Sequence, residues 1–229
     1  MNPQKKHQRH EWQLVETTDF HTLITYFRDA QTYGNVFALT GPAGSGKTFA
    51  AAWYATNNTA VFHLECAEHW NRKLFLEKLL QAIGCERSGH STGEMMEDIV
   101  HALCTLHEPL LILDEADKLS DQVLYFFITL YNLLHGRCGI VMTATSHLVK
   151  RVDRGRRLNR KGYAELYSRI GRRFIVLRGV NKKELTAICQ ANGISSAEDT
   201  AAIFHDCEGD IRRVERAVHK QRRKQTALS

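Results

Sequence analysis

VFALTGPAGSGKTFAAAWYATNN, from Val36 to Asn58, passes from an apolar run through a glycine-rich turn into an alanine-rich helix former. A short apolar run that ends in such a turn reads as a buried strand, and the stretch after it as a helix. Gly41, Gly44 and Gly46 allow a tight turn in which consecutive backbone N–H groups face inward, above the positive end of the following helix. The pattern is a complete G-x-x-x-x-G-K-T. It lets Lys47 reach the β- and γ-phosphates of a nucleotide and lets the Thr48 hydroxyl ligate Mg²⁺. The whole loop, Gly41, Pro42, Ala43, Gly44, Ser45, Gly46, Lys47 and Thr48, together with Phe49 behind it, is therefore assigned to a bound nucleotide.

Four further apolar runs repeat the strand signal: AVFHL (60–64), LLILD (110–114), GIVMTAT (139–145) and FIVL (174–177). Helical spacing separates them, as in Trp70, Leu74, Leu76, Leu79, Leu80 and Ile83, and again in Val123, Leu124, Phe127, Leu130 and Leu134. Strands alternating with helices of this length predict crossover units, hence an α/β fold with a parallel five-stranded sheet covered by helices on both faces. One more helix is expected from about Asp19 to Ala30. From Asn181 onward only helical pattern remains. Capping boxes are expected at Asn181/Glu184 and Ser195/Glu198, and helix stops at Gly193 and Gly209. The expected organisation is a flexible polar and basic arm over residues 1–18, a nucleotide-binding α/β domain over 19–179, and a helical lid with a basic tail over 180–229.

LLILDEAD completes the phosphate site. Asp114 ends an apolar strand, where its carboxylate can hold Mg²⁺, and Glu115 beside it is placed to orient and deprotonate an attacking water. An acid directly after the metal ligand points to hydrolysis of ATP rather than phosphate transfer to a small acceptor. Asp117 reads as a helix-entry residue.

The 229 residues carry a formal net charge of +6, unevenly spread: from Lys150 to Lys183 there are thirteen Lys or Arg against Asp153 and Glu165. No apolar run is long enough to span a bilayer and the polar start MNPQKKHQRH lacks a signal-peptide core, so a cytoplasmic protein without membrane contact is expected. The six cysteines form no Cys-x-x-Cys pair and read as reduced packing residues. No metal ligand is assigned among the twelve histidines.

GPAGSGKT, LLILDEAD, the polar end of VMTATSH, ELYSRIGRRF and GDIRRVERAV stand in the order found in ATPases of the AAA+ class, which the chain resembles over roughly residues 19–223. Within that class it is most similar to the short transposition ATPases of the phage Mu target-DNA activator B type. The resemblance implies roles for three more residues. Thr145 would be the polar sensor of the γ-phosphate, with Thr143 as the alternative. Arg169 would be an arginine finger, with Arg172 and Arg173 as alternatives, and Arg212 would be a second sensor on the lid. It also implies ATP-dependent self-assembly into a ring or helical filament, and a transposase as partner.

KRVDRGRRLNRKGY, Lys150 to Tyr163, carries seven cations and one acid, and its glycines argue for a mobile basic loop. Lys150, Arg151, Arg154, Arg156, Arg157, Arg160 and Lys161 are assigned to sequence-independent contact with duplex DNA, the alternatives being a solvated loop or an intersubunit surface. Arg72 and Lys73, in a region that lines the channel of assembled rings and filaments of the class, join the DNA-contact set by resemblance. The expectation is an ATP-dependent, DNA-binding regulator of transposition. Its rivals are a helicase loader or replication initiator, a small-molecule phosphotransferase, and a non-hydrolysing scaffold.

Overall fold

The computed structural model describes residues 12–85 and 91–227, with side chains described up to residue 223. Helix α1 (Thr18–Tyr33) leads into β1 (Val36–Thr40), α2 (Lys47–Asn57), β2 (Val61–Glu65), α3 (Arg72–Ile83) and α4 (Thr92–Cys104). Then come β3 (Leu110–Asp114), a 3₁₀ turn over Ala116–Lys118, α5 (Asp121–Leu134), β4 (Gly139–Ala144), α6 (Ser146–Arg157), α7 (Tyr163–Arg169) and β5 (Ile175–Val176). Helices α8 (Lys182–Ala191), α9 (Ala197–Cys207) and α10 (Ile211–Ala227) finish the chain.

The five strands form one sheet in the order β2-β3-β4-β1-β5, every pairing parallel. Strands β3 and β4 are buried at every residue, yet their side chains still alternate between faces. Leu111, Leu113, Ile140 and Met142 join the core formed with α3, α4 and α5, while Leu110, Ile112 and Val141 join the core under α1 and α2. Gly139 opens β4 directly against α1, where a Cβ would stand 2.2 Å from the Ala30 carbonyl oxygen. Because both partners are backbone, Gly139→Ala is expected to cost about 2 kcal/mol, read as a drop in the thermal midpoint.

The chain divides into two compact units: one from Thr18 to Gly179, the other joining the N-terminal segment up to Thr17 to the chain from Val180 onward. The helical unit packs Val214, Val218, Leu185, Ile188 and Ile203 together. Residues 1–11 of the proposed arm lie outside the described residues. Trp12 and Val15 pack against the helical core, and Asn192, fully buried, accepts from the Gln13 N–H at 3.0 Å and donates to the Gln13 carbonyl at 3.1 Å. That part of the arm is held by backbone hydrogen bonds and two apolar anchors.

Several local expectations shift. The capping box at Asn181/Glu184 is present, but the second cap is Ser196 accepting from Asp199, one residue later than the Ser195/Glu198 reading. Helix α4, closed by a Ser91/Glu94 capping box and burying Met95, Met96, Ile99 and Leu103, has no counterpart in the sequence reading. The mobile basic loop is corrected: residues 150–157 continue α6, anchored by buried Leu148 and Val152. Gly155 is a packing residue inside this helix, since a Cβ there would meet the Tyr163 ring at 2.3 Å.

Candidate functional site

Helix α2 begins on Gly46, whose φ of 84° is left-handed, and no side chain caps its first turn. Gly44 is also left-handed, at φ 75°. This leaves the N–H groups of the loop to face an anion at the positive end of an eleven-residue helix. Lys47 is buried, and its Nζ donates to the carbonyls of Gly41 at 3.0 Å and Pro42 at 2.8 Å and to Ser45 Oγ at 3.1 Å. An ammonium held along the loop by backbone acceptors fits the recognition of a polyphosphate. Gly41 is constrained by its surroundings: a Cβ would stand 2.7 Å from Leu177 Cβ. Phe49 stays half-exposed on α2, with its ring centroid 6.4 Å from that of Phe20.

Across the sheet, Asp114 ends β3 fully buried. Its Oδ1 accepts from the Thr143 hydroxyl and, at 3.0 Å, from the Glu115 N–H. Its Oδ2 makes no hydrogen bond, and His63 Nε2 stands 3.7 Å away, also without one. Burial pushes the Asp114 pKa up, and the polar side chains of His63, Thr143 and Thr48 more than reverse this, so the carboxyl sits below its ordinary value. An ionised, buried carboxylate with one bare oxygen beside a threonine suits Mg²⁺, which takes one or two protein oxygens and fills its shell with phosphate and water. Among the described residues no cluster of three or more His, Cys, Asp or Glu forms a closed metal cage.

Glu115 follows in a left-handed conformation, φ 55°, at the entry to the 3₁₀ turn. Lys118, one turn on, pairs with its carboxylate. Cys66, whose N–H donates to the Asp114 carbonyl at 2.9 Å, is buried beside this turn. Burial, then the Asp114 and Glu115 charges, push its thiol far up, so it is an inert packing group.

The two sensor candidates separate in space. Thr143 is buried against Asp114, whereas Thr145 caps α6 by accepting from the His147 N–H and donates through its hydroxyl to Asp117 Oδ2 at 2.7 Å. Asp117 is therefore more than a helix-entry residue: it ties the β3 turn to the end of β4. His63 and Asp117 were not singled out as site residues from sequence, and the signal for His63 is its place two residues before the end of a strand paired in register with β3.

Arg169 ends α7 with its Nε on Asn132 Oδ1 at 3.1 Å, an Nη on Glu165 at 3.2 Å and its guanidinium 5.2 Å from the centre of the Tyr131 ring. Arg172 is exposed with φ 60°, and Arg173 donates to the Tyr26 hydroxyl at 3.2 Å. Arg212 lies on α10 of the helical unit, exposed, its backbone N–H on Asp210 Oδ1 at 2.8 Å.

The cations assigned to DNA form two groups. Lys150, Arg154, Arg156, Arg157, Arg160 and Lys161 are exposed along the later part of α6 and the turn into α7, with Arg156 stacked 3.7 Å over the Tyr167 ring. Arg151 is a correction. It turns inward, bonding Asp121, the Tyr163 hydroxyl at 3.1 Å and the Leu119 carbonyl at 2.6 Å, so it is a structural tie rather than a phosphate contact. Arg72 leans 5.5 Å over Phe126 and Lys73 stands 4.0 Å from Glu77.

A family model described as an AAA domain matches residues 30–152, more than half of the chain. The protein belongs to that AAA domain family. It is an ATPase, and the phosphate loop and Asp114–Glu115 both fall inside the matched region. No curated protein matches it in sequence. Among solved structures, Orc1 of Aeropyrum pernix, determined in complex with DNA, is 18% identical with a TM-score of 0.62, covering 89% of this chain and 58% of that one. Cdc6p of Pyrobaculum aerophilum is 17% identical at a TM-score of 0.59, covering 80% and 51%. RuvB of Thermotoga maritima is 17% identical at a TM-score of 0.57, covering 94% of this chain and 64% of that one. The AAA chain thus spans between about half and two-thirds of the length of these structures, whose likeness is one of fold. Among the described residues no helix is long and apolar enough to cross a membrane.

Proposed function

We propose that this ATPase assembles with ATP on duplex DNA and that hydrolysis dissolves the assembly. The observation that carries this reading is the combination, within the single Thr18–Gly179 unit, of a hydrolytic Asp114–Glu115 pair and an exposed row of arginines and lysines from Lys150 to Lys161. Such a row of cations suits the phosphate backbone, which makes binding salt-dependent and independent of sequence. Thr48 and Asp114 would hold Mg²⁺, which when bound neutralises charge on the β- and γ-phosphate oxygens. Lys47 and the loop N–H groups orient the triphosphate, Glu115 takes the proton of the attacking water, and Thr143 or Thr145 positions the site. Arg212 is assigned to the nucleotide from the lid.

The output we assign is target-site choice and recruitment or activation of a transposase, on the motif resemblance to the Mu activator B type. Replication initiation is the second reading, favoured by the fold likeness to the DNA-bound Orc1 and to Cdc6p. Sedimentation and ATP turnover with and without duplex DNA, at two salt concentrations, test the shared core. Large ATP-dependent complexes and stimulated turnover at low salt are expected; unchanged size and rate would remove DNA from the mechanism. Pull-down of a transposase rather than a helicase separates the two outputs.

Arginine supplied in trans predicts turnover that depends on protein concentration. Arg169→Ala is expected to bind ATP normally and to hydrolyse it at least about a hundredfold more slowly. The same rate as wild type across a dilution series would transfer the role to Arg172 or Arg173.

A further inference from the structure

Helix α10 carries a second cationic surface, separate from the α6–α7 segment and in the other compact unit. Val214 and Val218 are fully buried in the helical core, which fixes the orientation of this helix. At 100° per residue, Arg216, Lys220 and Arg223 fall within roughly 60° of one another and roughly 120–180° from the two valines. They span about 10 Å of helix axis. All three are exposed, and among the described residues none has a hydrogen bond or ion pair, unlike Arg213, which is held by Glu208 at 2.7 Å and the Asp206 carbonyl at 3.2 Å.

The chemistry of this face is narrow. Its exposed neighbours are Arg212, Arg213 and His219, with Glu215 as the one acid flanking it, and Ile211, Val214, Ala217 and Val218 belong to the core side. A protein interface takes most of its energy from aromatic or aliphatic anchors desolvated in pockets, and the face offers none. A row of ammonium and guanidinium groups on a convex helix, with no apolar contact between them, suits a polyelectrolyte whose affinity comes from counterion release.

We infer that Arg216, Lys220 and Arg223 of α10 form a second phosphate-backbone contact for duplex DNA, carried by the helical unit and independent of the nucleotide. The inference rests on the DNA-associated reading above for its choice of polyanion, and on α10 alone for its geometry. Two separate backbone contacts on one chain let the helical unit stay on DNA while the ATPase unit cycles.

The test uses the full chain carrying Arg216→Gln, Lys220→Gln and Arg223→Gln together, with Arg212 untouched because it is assigned to the nucleotide. Anisotropy of a fluorescein-labelled duplex of mixed sequence, without nucleotide, is followed between about 50 and 200 mM salt. Loss of three phosphate contacts is expected to lower the slope of log affinity against log salt by about 2.7, and affinity at about 0.1 M salt by several hundredfold. Turnover without DNA is expected to stay at the wild-type rate. A charge-keeping variant, Arg216→Lys with Arg223→Lys, is expected to retain the wild-type slope, since the contact is one of charge. An unchanged slope in the glutamine variant overturns the inference and makes the row a solvated face. Weakened binding to poly-L-glutamate with unchanged DNA binding also overturns it, in favour of an acidic protein. The parallel variant Arg154→Gln, Arg157→Gln, Arg160→Gln separates this result from the functional reading. If only that variant loses DNA, the α10 contact fails and the reading stands; if α10 alone binds DNA and ATP assembles nothing, the contact stands and the reading fails.

Discussion

Glu115→Gln is expected to bind ATP with wild-type affinity while turnover falls by about 10²–10⁴-fold, the usual contribution of a positioned general base. The substitution keeps size and the Lys118-facing hydrogen-bonding capacity but removes the proton acceptor. Because Asp114 and Lys47 are untouched, nucleotide binding followed by a fluorescent ATP analogue gives the control. The same variant probes the release step: assemblies formed with ATP on DNA are expected to persist rather than decay. A turnover within a few-fold of wild type would mean that the water is deprotonated elsewhere.

The second large effect concerns stability rather than chemistry. Arg151→Ala is expected to lower the unfolding free energy by about 3 kcal/mol, because it removes the charge-assisted hydrogen bonds to Asp121, the Tyr163 hydroxyl and the Leu119 carbonyl at once, leaving only the Tyr163–Asp121 bond of this group. In a chain of this size that corresponds to a thermal midpoint lower by roughly 8 °C. A pH dependence accompanies it. Burial raises the Asp121 pKa, but the Tyr163 and Arg151 hydrogen bonds outweigh that and hold it below its ordinary value. A carboxyl depressed in the folded state contributes stability above its unfolded pKa of about 3.9 and loses it as pH falls through the folded value. Melting from pH 6 downward is therefore expected to show a steeper acid loss in wild type than in Arg151→Ala. Parallel profiles would mean that Asp121 is not stabilised by this arginine.

What the sequence by itself determined is the set of features encoded by contiguous residues. Strand, glycine turn and helix at Val36 to Asn58 follow from apolar patterning and from glycine, whose left-handed φ at Gly44 and Gly46 is a local necessity. The buried run ending in Asp114, the parallel α/β class and the Asn181/Glu184 cap are local in the same sense. Tertiary structure decided the rest, because those properties depend on residues distant in sequence. Composition makes Lys150 to Tyr163 look like a basic loop, yet Leu148 and Val152 find a core, Gly155 accommodates the Tyr163 ring, and the segment becomes helix. Arg151 is one cation among seven until Asp121, thirty residues earlier, turns it inward. Thr143 and Thr145 are equivalent in the string TAT; the alternation of β4 sends one to Asp114, and the end of the strand gives the other to Asp117. Local sequence fixes backbone preference and periodicity, whereas the partner of a polar side chain is fixed only when the sheet order brings β2, β3 and β4 side by side.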